Sequence, residues 1–131
     1  MLVGFKNNPS GRAAAPGDLD VQRLDSTTAL LIPKAGLEGE QLERVLRLGI
    51  ATLVAEGVTG LVLDLRSISM MDSAGLGALV ASHGDIAEMN GVRFVLTGVS
   101  PTLHRALSRT MLLQVLPVYE TVERAFAAVR S

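Results

Sequence analysis

The sequence predicts an α/β domain: a mostly parallel central sheet with helices packed on it, in the order β-β-α-β-α-β-α-β-α. Three observations predict it. Strand-like and helix-like apolar patterns alternate along the chain from residue 19 onward, and such alternation builds parallel sheets with covering helices. The helical pattern that starts near Leu42 is strongly amphipathic. Leu61 to Leu65 is a short, continuous apolar run, which suits a central strand covered on both faces.

Each element has its own signal. Residues 1–18 read as an N-terminal tail: Asn7-Asn8-Pro9-Ser10-Gly11 and Pro16-Gly17 are rich in chain breakers, and Ala13 to Ala15 carries no amphipathic period. Met1 to Phe5 is apolar and could add a strand or a contact. Residues 19–131 are expected to form one domain. Leu19 to Leu24 and Thr28 to Ile32 read as strands joined by the polar turn Asp25-Ser26-Thr27. In the first helix Leu42, Val45, Leu46, Gly49, Ile50 and Leu53 share one face, with Glu43, Arg44 and Arg47 opposite, and Gly57 stops it. The central strand follows, then a loop from Arg66 to Met71. A second helix runs from about Ser73 to Asn90-Gly91, and Arg93 to Thr97 is the next strand. Ser100-Pro101 opens a third helix, with Ser at the cap and Pro at the first helical position. Gln114 to Val118 reads as the last strand, and Thr121 caps a final helix.

Composition narrows the function. Twelve basic and thirteen acidic residues give a net charge of −1, which argues against direct nucleic-acid binding driven by phosphate contacts. There is no cysteine, so thiolate chemistry and cysteine-based zinc sites are excluded. Two isolated histidines, His83 and His104, make no metal constellation, and no cofactor is expected. No apolar run approaches the ~20 residues of a membrane span, so the expectation is a cytoplasmic chain without membrane insertion.

The segment beyond the central strand carries the function, because sites in open parallel sheets lie outside the carboxyl ends of the strands. Ser73 falls at or beside a helix start, where a side-chain oxygen can cap free N–H groups. Gly75 and Gly77 sit in the first turns, where each costs about 1 kcal/mol relative to Ala and allows close backbone approach. Met70 and Met71 are adaptable apolar groups. The stretches Val62-Leu63-Asp64-Leu65, Ile68-Ser69-Met70-Met71-Asp72-Ser73-Ala74-Gly75-Leu76-Gly77 and Gly91 to Pro101 resemble the signature of STAS domains, the sulfate transporter and anti-sigma factor antagonist family. The resemblance covers about residues 19 to 130.

The resemblance implies a mechanism. In bacterial anti-sigma factor antagonists of this family, the serine matching Ser73 is phosphorylated by the anti-sigma factor, itself an ATP-dependent serine kinase. The unphosphorylated form binds that kinase and frees a sigma factor. A metal-dependent serine phosphatase restores it. By the same resemblance Glu38, Asp64, Met70, Met71, Asp72, Ala74, Gly75 and Leu76 belong to the partner-binding region, and the chain is not an enzyme. Two places depart from the family. Ala35-Gly36-Leu37-Glu38 stands where Gly-x-Leu-Asp is common, and Thr110-Met111-Leu112 where Thr-Gly-Leu is usual.

Plainer readings stand beside these. A serine before a helix is most often only a cap, and Asp72 is a second cap candidate. Asp64 can be a plain strand-end carboxylate. Met70 and Met71 can be core or rim, and Glu43-Arg44-Arg47 a solvated face. Gly75-x-Gly77 is no nucleotide fingerprint, because the third glycine position is Val80. Asp72-Ser73 has no neighbouring histidine or lysine to serve as a base. The competing functional class is a STAS-type scaffold or adaptor of a stress-sensing or transport complex, without a phospho-switch.

Overall fold

A computed structural model describes residues 17–37 and 39–130. The expected tail, residues 1–16 of it, lies outside the described residues. The strands are β1 (Leu19–Arg23), β2 (Thr28–Pro33), β3 (Gly60–Asp64), β4 (Arg93–Thr97) and β5 (Val118–Tyr119). The helices are α1 (Gly39–Ala55), α2 (Ser73–Ala87), α3 (Pro101–Arg109) and α4 (Val122–Arg130), with a 3-10 turn at Leu112–Gln114. The five strands form one sheet in the order β1-β2-β3-β4-β5. β1 pairs antiparallel with β2, and the other pairings are parallel. The fold class read from the sequence is the one observed.

The hairpin forms because its turn is internally bonded. The Asp25 carboxylate accepts from Thr27 N at 3.0 Å, and that backbone bond holds its pKa below the usual carboxylate value. β3 is buried at every position. Leu61 and Leu63 join the larger core with Leu46, Leu53, Leu79 and Leu107. Val62 points the other way, with Leu30, Val95, Ala125 and Val129. Helices α1, α2 and α3 therefore cover one face and α4 the other, which is why the strand reads as continuously apolar. Fully burying one such leucine stabilises the fold by about 1.5–3 kcal/mol.

Two boundaries differ from expectation. The last strand begins later, at Val118, because Val115 N and Leu116 N donate to Leu112 O instead and Pro117 has no N–H for a ladder. Helix α2 stops at Ala87, where Glu88 N closes on Asp85 O and Ile86 O, and Gly91 reverses the chain at φ +78°.

Candidate functional site

The site is built outward from the carboxyl end of β3. Asp64 ends that strand and is 2 % exposed. A buried carboxylate needs partners, and Asp64 has them. It accepts from Arg66 N at 2.9 Å, from Arg66 Nε at 2.9 Å and from the terminal Arg66 guanidinium nitrogen. The carboxylate in turn pushes the Arg66 pKa further up. Gly98, just past β4, closes the other side. It sits at φ +68°, and a methyl there would meet the Asp64 carboxylate and, at 2.9 Å, Arg66 N. Asp64 is thus sealed in; it shapes the loop and offers no open surface.

The loop then runs over the sheet end. Ile68 N returns to Leu65 O at 3.0 Å, and Ile68 and Met71 are both only 8 % exposed. Between them Met70 stands out at 67 % exposure. Of the two methionines, one is core and one is surface.

The start of α2 resolves the competition for the cap. Asp72 is the cap residue, with extended backbone, and its Oδ1 accepts from Gly75 N at 2.9 Å. Ser73 is therefore the first helical residue. It is exposed, and its hydroxyl makes no hydrogen bond among the described residues. The sequence reading allowed Ser73 itself to cap; the neighbouring aspartate does so and leaves the hydroxyl free. Ala74 packs against Gly39 at the start of α1, where any side chain larger than hydrogen would strike Ala74 carbons and its carbonyl oxygen. Gly75 is buried, and a methyl there would lie 3.0 Å from Met71 Cβ. Leu76 is half-buried against the core. Gly77 faces open space, so no close approach within the domain requires it.

Beside Ser73 the first turns of α1 and α2 leave a groove of about 400 Å³, walled by Leu37, Leu42, Ile68, Met70, Met71 and Gly75. Asp72 stands at its rim. The arrangement is a free hydroxyl at a helix N-terminus, next to an apolar groove and a carboxylate. Glu38, expected to contribute a charge here, lies outside the described residues. His83 is half-buried and His104 exposed, and no cluster of metal-ligating side chains occurs among the described residues.

Sequence reasoning missed three contributors: Arg66, Gly98 and the second bond of Ser100. Ser100 caps α3 as expected, accepting from Leu103 N at 3.1 Å. Its hydroxyl also donates to Ser69 O at 2.6 Å, across 31 residues of chain. Only the glycine directly after β4 gave any local sign that the chain turns tightly there.

The STAS domain family model matches residues 17–125. The chain belongs to the STAS domain family. A curated relative, the anti-sigma F factor antagonist of Paenibacillus polymyxa, is 32 % identical over 60 residues, which are 46 % of this chain and 50 % of the relative. The match thus spans about half of that relative's length. Several solved STAS-like structures superpose over most of the domain. An anti-sigma factor antagonist from Mycobacterium paratuberculosis is 24 % identical, with TM-score 0.72 over 86 % of this chain and 93 % of that one. The phosphorylated form of a Bacillus cell fate determinant is 20 % identical, with TM-score 0.63 over 86 % and 99 %. A sulfate transporter family protein from Wolinella succinogenes is 21 % identical, with TM-score 0.69 over 83 % and 89 %. At these identities the likeness establishes the STAS fold. No helix among the described residues is long and apolar enough to cross a membrane.

Proposed function

We propose that this STAS domain is an anti-sigma factor antagonist, switched by phosphorylation of Ser73. The observation that carries the reading is the free, exposed hydroxyl of Ser73 at the first position of α2, with the cap supplied by Asp72. A serine that merely capped the helix would have its oxygen engaged.

Unphosphorylated, the domain binds an anti-sigma factor that is a serine kinase, and a sigma factor is released. Asp72, Ser73, Ala74, Met70 and the adjoining groove meet the partner, with Gly75, Leu76 and Met71 shaping that surface from beneath. Asp64 holds the loop in place, and Glu38 belongs with the partner-binding residues. Phosphorylation adds about −1.5 to −2 charges at pH 7. The helix N-terminus tolerates an anion, typically with 0.3–1 kcal/mol of stabilisation, so the domain stays folded. A partner surface fitted to a neutral hydroxyl meets like-charge and desolvation costs instead. The switch is local, and the partner reads it. A metal-dependent serine phosphatase resets it. The domain performs no catalysis and works in the cytoplasm. A second reading, an adaptor without a switch, draws support from the likeness to the Wolinella succinogenes transporter-family structure.

The test is capture from native cells with the unmodified protein, followed by phosphate mapping of Ser73. Wild type and Ser73→Ala are expected to retain an anti-sigma factor kinase, and Ser73→Glu to lose it by at least about 100-fold, as a several-kcal/mol interface penalty implies. Ser73→Ala should stay within about 0.5 kcal/mol of wild-type stability. Capture that is equal for all three proteins, with Ser73 unmodified under every condition, removes the switch and leaves the adaptor.

A further inference from the structure

We propose that Ser100 is a positioning residue for Ser73, acting through the main-chain carbonyl of Ser69; the proposal rests on the reading of Ser73 as the phosphoacceptor. Ser100 lies at the start of α3, 27 positions away in sequence, and nothing in the local pattern around it points to the loop after β3. In space the two are joined. Ser100 Oγ donates its proton to Ser69 O at 2.6 Å and accepts from Leu103 N at 3.1 Å.

The first bond matters because of where it falls. Residues 65 to 68 are held by Leu65 N on Thr97 O at 2.9 Å and by Ile68 N on Leu65 O. Asp72 is held by its cap bond. Among the described residues, the bond from Ser100 is the one hydrogen bond made by residues 69–71. It therefore fixes the stretch whose exposed member is Met70 and whose far end delivers Asp72 and Ser73. Gly98, two residues before Ser100, is locked against Asp64 and Arg66, so Ser100 is anchored on the same strand-end framework that it extends to the loop. The third helix thus sets the height of the segment leading into the second.

A serine hydroxyl has one proton and spare lone pairs, and Ser100 uses both functions. Substitutions can separate them. Ser100→Thr keeps cap and tie. Ser100→Asp keeps a strong cap but has no proton for Ser69 O. Ser100→Ala loses both. Two measurements follow. Backbone order parameters of the free protein at residues 69–72 are expected to stay near the rigid value of about 0.85 in wild type and Ser100→Thr. They should fall toward about 0.6 in Ser100→Asp and Ser100→Ala, with β3 and α4 unchanged. Phosphorylation of Ser73 by the captured kinase should show KM raised about fivefold in Ser100→Asp at little-changed kcat, as the loss of one hydrogen bond implies, with Ser100→Thr at the wild-type value.

Wild-type behaviour of Ser100→Asp in both measurements makes Ser100 a cap alone and overturns the proposal. A loosened loop with unaltered phosphorylation overturns it too. If no kinase modifies wild-type Ser73, the functional reading has failed by itself, and the order parameters, which need no kinase, still decide whether Ser100 holds the segment.

Discussion

Helices α2 and α3 begin in nearly the same way and carry serines in opposite conditions. Both start beyond the carboxyl ends of neighbouring parallel strands, β3 and β4. Both are capped by a side-chain oxygen that accepts from the amide three residues on, Asp72 from Gly75 and Ser100 from Leu103. At α3 the serine is the cap, and its proton also goes to Ser69. At α2 an aspartate takes the capping duty, and the serine one position later keeps a hydroxyl with no partner among the described residues. The lesson is that a capping residue type is informative only with its neighbour. A serine that caps is structural; a serine freed by an adjacent cap is available for chemistry.

Both helix starts depend most heavily on Gly98. It holds the Asp64 loop that leads to α2 and precedes the cap of α3, at a positive φ and with no room for a methyl. Gly98→Ala is expected to destabilise the domain by about 3 kcal/mol, combining left-handed strain with overpacking. Chemical denaturation measures it, and a change below about 1 kcal/mol would show that the two strand ends can part freely.

A gentler change sharpens the contrast between the two caps. Asp72→Ala should cost about 1 kcal/mol, while Asp72→Asn, which retains a cap acceptor, should cost only a few tenths. If Asp72→Ala were neutral because Ser73 takes over the cap, the difference between the two helix starts would vanish. The smallest effect lies at the other end of α3. There Met111 holds φ +66° and is 59 % exposed, whereas the chain after α2 turns at a glycine, Gly91. Met111→Gly should raise stability by about 0.5–1 kcal/mol by relieving left-handed strain, read as a small rise in denaturation midpoint. Loss of stability would mean that the Met111 side chain contributes packing that outweighs its strain.

These particulars also show what was legible. Apolar patterns revealed α1 and the first four strands, because each buries one stripe or both faces, while caps and chain breakers marked the other helices. Gln114 to Val118 misled, since Gln114 ends a 3-10 turn and the Val115 and Leu116 amides close back on Leu112 O before Pro117, leaving only Val118 of that run in the strand. Asp72 and Ser73 are both good caps, and local sequence has no means of choosing between them. In the structure Asp72 takes the Gly75 amide and Ser73 is left one position inside the helix. The resemblance led to Ser73 and Asp64. It could not show that Met70 is exposed while Met71 is buried, nor that Ser100 and Gly98 reach the loop, because those contacts join segments about 30 residues apart.

Helix α2 contains Gly75, Gly77 and Gly84, the last two facing open space. Relative to alanine they withdraw roughly 3 kcal/mol of intrinsic helical stability, so the helix owes its persistence to packing against the sheet and α1. Such an element can unravel locally at a free energy well below that of global unfolding. The residue proposed for modification therefore sits on a helix held in shape by its neighbours more than by its own sequence, above a β3 strand buried at every position.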